Sequence, residues 1–148
     1  MDRTTAVLVA AGLGGLLAAQ APLNSVLGRT VGGVQASLVA VSVSLVALAV
    51  FALVAGGGTG ELRRVGDAPW HVVIGGGVIG ALYVGSIVFT VRALGAGGLT
   101  AATIAGQLAV AIVIDHFGWL GVDRSPVNAS KLAGVALLAA GTYLVIRD

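Results

Sequence analysis

The chain has 148 residues, 57% of them apolar and 9% charged, with a mean hydropathy of +1.05. A water-soluble domain carries about 25% charged residues, so this composition excludes one. Eight Lys and Arg against six Asp and Glu leave a net charge of +2 with no basic cluster to follow phosphates; cysteine is absent and there are two histidines, which excludes nucleic-acid binding, disulfides and thiolate metal sites and leaves no expected cofactor.

A membrane helix needs about 20 apolar residues to cross about 30 Å of hydrocarbon. Five such runs are legible, over residues 4–27, 34–54, 70–91, 99–120 and 130–146. The expected fold is therefore an all-α integral membrane protein with five transmembrane helices, forming one domain over residues 1–148. What lies between the runs is too short for a further domain of about 50 residues.

In the first run, Arg3 before an apolar stretch and Ala19-Gln20-Ala21 also fit a cleaved signal peptide, but the apolar character resumes through Leu23, Val26 and Leu27, which favours a span. Gln20 and Asn24 stand four apart and share a helical face. Pro22 between them removes a backbone donor, leaving the carbonyl of Ala18 without its helical partner. A turn is expected over Gly28–Gly33, with Gln35 opening the second run. The next loop, Gly56 to Pro69, carries Glu61, Arg63, Arg64 and Asp67.

The third run begins at Trp70 and includes Gly75-Gly76-Gly77-Val78-Ile79-Gly80, which matches the dinucleotide fingerprint G-x-G-x-x-G. That fingerprint requires an acidic residue about 20 residues on, and this stretch has none before Asp115. In lipid, Gly76 and Gly80 instead make G-x-x-x-G, a surface on which two helices approach closely, with Tyr83 on the same face. A glycine-rich break is expected over Arg92–Gly98. Thr100, Thr103 and Gln107 then share a face of the fourth run.

Polar side chains within spans are costly unless they face a bundle interior or a cavity. With the N-terminal side of the membrane termed side A, Gln20, Asn24 and Gln35 lie toward side B, and Gln107 lies about 12 Å from it, close to the midplane. Tyr83 reaches a similar depth, so these residues are the candidate substrate-binding set: Gln20, Asn24, Tyr83 and Gln107. Asp115, about 24 Å from side B, lies near the opposite interface. It and His116 have a structural or a coupling role, and a bond from the carboxylate to Arg124 or to His116 is expected. Trp70 and Trp119 fall at side A ends of spans, as interfacial tryptophans do.

Arg3, Arg63, Arg64, Arg124 and Lys131 lie on side A, and Arg29, Arg92 and Arg147 on side B, a bias small enough to allow both orientations. An odd number of spans holds no inverted repeat of equal halves, but two oppositely inserted copies would make one.

These residues resemble the YdcZ-like (EamA-like) family of the drug/metabolite transporter superfamily. The resemblance covers nearly the whole chain and rests on Gln20-Ala21-Pro22-Leu23-Asn24 running into Leu27-Gly28-Arg29, Pro69-Trp70, Gly80-Ala81-Leu82-Tyr83-Val84, Gly106-Gln107, Asp115-His116-Phe117-Gly118 and Lys131-Leu132-Ala133-Gly134. Where the family has Ser-Pro after a glycine, this chain has Gly33-Val34-Gln35, and Val46 stands where a glycine commonly follows the span-two serine. The resemblance implies a multi-pass exporter of the bacterial inner membrane, working as an antiparallel, dual-topology homodimer with a ten-helix bundle. The cation exporters of the same superfamily use a glutamate in their first span, and here no acid lies between Asp2 and Glu61. The expected substrate is therefore a small polar or zwitterionic metabolite, and the expected surroundings are membrane lipid. The competing classes are a non-transporting accessory membrane protein and an intramembrane enzyme, the latter disfavoured because no nucleophile-base pair or metal set is present.

Overall fold

The computed structural model describes residues 2–54 and 59–147; the start of the second loop, residues 55–58, lies outside them. Among the described residues there are helices and no strand: α1 (Arg3–Val31), α2 (Gly33–Val54), α3 (Trp70–Phe117) and α4 (Ala129–Ile146), with short 3-10 turns over Gly60–Asp67 and Trp119–Gly121. All four long helices have the length and composition to cross a membrane.

At a rise of 1.5 Å per residue, the 48 residues of α3 would extend about 72 Å, more than twice the hydrocarbon thickness. The helix is broken inside, at Gly95, whose φ of 68° and ψ of 173° are open only to glycine. The break separates a first arm, residues 70–94, from a second, residues 96–117, each as long as one span. Five apolar helical segments result, in the order the sequence predicts.

The connections differ from those expectations. The turn over Gly28–Gly33 contracts to Gly32, at φ 94°, and the break over Arg92–Gly98 contracts to Gly95. The deviating residue is in each case a glycine at positive φ, which turns the chain in one step, so helical bonding continues up to it on both sides. At Gly32 the amide still donates to the carbonyl of Gly28 (3.1 Å), while its own carbonyl accepts from Ala36 (2.9 Å), so one residue ends α1 and opens α2. Gly95→Ala, which adds a Cβ in a conformation L-residues avoid, is expected to lower stability by about 1–3 kcal/mol. The Cβ itself has open space, so thermal unfolding of this variant measures backbone strain alone.

Helix ends are fixed by local chemistry. Asp2 caps α1, accepting from the Thr5 backbone N–H (2.9 Å) and the Thr5 hydroxyl (2.7 Å), and these bonds hold its carboxyl below the usual value. Asn128 caps α4 by accepting from the Lys131 N–H at 2.9 Å. In the Gly60–Asp67 turn, Arg64 pairs with Glu61 at 2.9 Å, an exposed pair worth about 0–1 kcal/mol.

The chain forms two compact units. The first, Met1–Ala18 with Ala93–Asp148, holds the second arm of α3 and α4, with Leu99 and Ile112 buried. The Thr142 hydroxyl donates to the Ala101 carbonyl at 3.1 Å and ties these helices together. The second unit, Ala19–Arg92, packs the end of α1, α2 and the first arm of α3 around Ala21, Ala36, Ile87, Val88 and Val91. Its tightest contact is glycine-made. A Cβ on Gly28 would lie 2.9 Å from the Val88 side chain and 3.5 Å from the Gly33 Cα, and a Cβ on Gly33 would lie 3.3 Å from the same valine. One turn into α2 from Gly33, the Ser37 hydroxyl lies 3.1 Å from both the Gly33 and the Val84 carbonyl oxygens, a polar link from α2 to α3. Most large apolar side chains elsewhere are exposed, Leu137 by 75%, which is the surface lipid covers.

Candidate functional site

Three of the four predicted substrate-binding residues lie in the Ala19–Arg92 unit. Asn24 is 7% exposed, and its Nδ2 is buried with no hydrogen-bond partner among the described residues. A buried donor left unpaired costs about 1–3 kcal/mol, so a fold that retains one stabilises something else with it or pays in stability. Gln20, one turn earlier on the same face of α1, and Tyr83 on the first arm of α3 are half-buried. Neither side chain has a hydrogen-bond partner among the described residues. Pro22 sits within α1, and its missing N–H leaves the Ala18 carbonyl without the usual i to i+4 bond.

Gln107 belongs to the other unit, on the second arm of α3, and is exposed. Gly76 and Gly80 are exposed too, and a Cβ on either would meet nothing within 4 Å. Within one chain this glycine face therefore has no neighbour to admit.

The half-buried Asp115 and His116 occupy the end of α3. The expected bond between the Asp115 carboxylate and Arg124 or His116 is not formed. Arg124 instead donates from Nε to the His116 carbonyl (3.0 Å), the Ser125 N–H donates to the Asp115 carbonyl (2.8 Å), and the Val127 N–H donates to His116 Nδ1 (3.2 Å). The physical reason is a helix terminus. The last carbonyls of α3 lack intrahelical donors, and the returning chain supplies them. A ring nitrogen accepting at Nδ1 carries its proton on Nε2. Lys131 Nζ closes the same knot on the Ser125 carbonyl and hydroxyl, both at 2.8 Å.

One feature escaped the sequence. Ala18, Gly97, Thr100, Ala101, Gly141 and Thr142 border an open groove of about 560 Å³, within the unit that holds the second arm of α3 and α4. Its walls are almost wholly apolar, and the small residues one turn apart, Gly97 with Ala101, are the signal that could have located it. Among the described residues no group of three His, Cys, Asp or Glu side chains could hold a metal ion.

An all-helical chain with several membrane-length apolar helices and polar side chains inside them is a multi-pass membrane protein of the transport class. Residues 5–144 match the model of the family described as "Putative inner membrane exporter, YdcZ", and the chain belongs to that family. Neither the curated proteins nor the solved structures gave a match.

Proposed function

We propose that the protein exports a small polar or zwitterionic metabolite by alternating access, as a homodimer of oppositely inserted copies, and that Gln20, Asn24 and Tyr83, with Gln107 on the second arm of α3, contact the substrate near the midplane. The observation that carries this reading is the buried Asn24 amide with its unpaired Nδ2. Polar groups that only tie helices together are hydrogen-bonded, and among the described residues Asn24 Nδ2 is not, which supports a binding role. Half-buried Gln20 and Tyr83 in the same unit add one more amide and a phenol without a charge. No carboxylate occurs in α1 or α2, which fits a neutral or zwitterionic substrate better than a lipophilic cation.

The dimer follows from size and from uncovered surface. Five segments hold too few walls for a closed path, and the Gly76–Gly80 face is free to receive a second copy. The test is a pair of C-terminal fusions, one reporter active only in the cytoplasm and one active only outside. Comparable activity from both is expected. All-or-none activity would remove dual insertion, and with it the antiparallel dimer of a single product. Moving two arginines from one side to the other should drive the population into one orientation.

A further inference from the structure

The end of the Ala19–Arg92 unit where α1 meets α2 carries Arg29 and Arg92 and no acidic residue. Arg92 ends the first arm of α3, and its guanidinium reaches α1, Nη2 lying 3.2 Å from where a Cβ of Gly28 would stand. Asn24 is one turn from Gly28 on the same face of α1, buried, with Nδ2 unpaired. The only acids in this unit are Glu61 and Asp67, both in the short turn at the far end of the helices, and Glu61 is paired with Arg64. Arg92 makes no ion pair among the described residues.

We infer that Arg92 and Asn24 form a carboxylate-binding site, in which the guanidinium supplies the charge and the Asn24 amide supplies the buried donor, so that the exported substrate carries a carboxyl group. This rests on the transporter reading above and narrows its substrate class. A guanidinium matches a carboxylate with parallel N–H donors, and an amide NH2 one turn deeper satisfies a remaining lone pair. A cationic substrate without a carboxylate finds no counter-charge there.

Acetate is the probe, because a two-carbon carboxylate needs no knowledge of the rest of the substrate. The full chain in lipid nanodiscs is melted over a series of acetate concentrations, with chloride at equal ionic strength as reference. Acetate is expected to raise Tm beyond chloride in the wild type. Arg92→Gln and Asn24→Leu should each weaken the apparent affinity by about tenfold or more, the loss of one charge-assisted or buried hydrogen bond, and Arg92→Lys, which keeps the charge but not the parallel donors, should fall between the wild type and Arg92→Gln. Should Asn24→Leu fail to fold, Asn24→Ala removes the donor in a smaller side chain. An acetate effect no larger than that of chloride, or one unchanged in the Arg92→Gln and Asn24 variants, overturns the site. The two readings separate cleanly. Loss of export in Gln107→Leu and Tyr83→Phe without an acetate effect leaves the transporter reading intact and removes the carboxylate site. An acetate effect that depends on Arg92 and Asn24, with normal export by Gln107→Leu and Tyr83→Phe, keeps the carboxylate site and removes those two residues from the substrate contacts.

Discussion

Gln107→Leu should leave the protein folded and abolish export. Gln107 is exposed in the chain and has no hydrogen-bond partner among the described residues, so its replacement breaks no internal bond. Leucine is of similar size and far better tolerated by lipid than an amide, so helix content and dimer content should be unchanged or slightly raised. Asn24→Leu carries the sharper version of the same argument. Removing a buried, unpaired amide should stabilise the substrate-free protein by about 1–2 kcal/mol while export is lost, the opposed signs expected where a fold retains a costly group for function. Tyr83→Phe, which deletes one hydroxyl, should reduce export in the same assay. Asp115→Asn should act on stability, since the carboxylate stands beside the knot at the end of α3. If the three amide and phenol variants export normally while Asp115→Asn stays folded and loses export with its pH dependence, the roles are exchanged and the carboxylate is the coupling group. Thermal melts alongside a transport assay decide between these outcomes.

Two glycine-to-leucine substitutions should fail in different places. Gly28→Leu is expected to prevent folding of the Ala19–Arg92 unit or to destabilise it by more than about 3 kcal/mol. Its Cβ alone would stand 2.9 Å from Val88, a side chain with no exposed surface and no room to retreat, and the rest of the leucine must follow it into the seam. A Cβ at Gly80 meets nothing within 4 Å and the position is exposed, so Gly80→Leu should leave the protomer's melting unchanged. Its effect should fall on dimer content, read by cross-linking in membranes, while Val78→Leu on another face is tolerated by both measures. Equal dimer content in Gly80→Leu and Val78→Leu would show that the glycine face is no interface.

Five apolar helical segments and their order were legible in the sequence because they depend on one-dimensional quantities: apolar runs of about twenty residues, ended by polar or glycine punctuation. Trp70 opens α3 and Val54 closes α2 where hydropathy placed them, and Asn128 caps α4 beside the predicted start. The nucleotide fingerprint was legible as a false one for the same reason, since an apolar run of that length leaves no water-facing side for a βαβ unit. The buried face of Asn24 also came from helical periodicity. That its amide has no partner did not, because satisfaction depends on what the neighbouring helices present at that level.

Other features were decided only by packing. The sequence marks Gly28, Gly33, Gly76 and Gly80 alike, as residues without side chains. Tertiary structure separates them: the first two are crowded by Val88 and Phe89, and the last two face open space. Composition cannot tell a turn glycine from a contact glycine, since both need only the absence of a Cβ. The shrinkage of two predicted loops to Gly32 and Gly95 has a comparable origin, as a run of turn residues gives the place of a break but not which single glycine takes the positive φ that turns the chain. Arg124 and Asp115 have complementary charges, and from sequence alone they pair. In the folded chain the unpaired carbonyls at the end of α3 take the arginine, because a helix terminus must be satisfied wherever it lies and an interfacial carboxylate can turn to water.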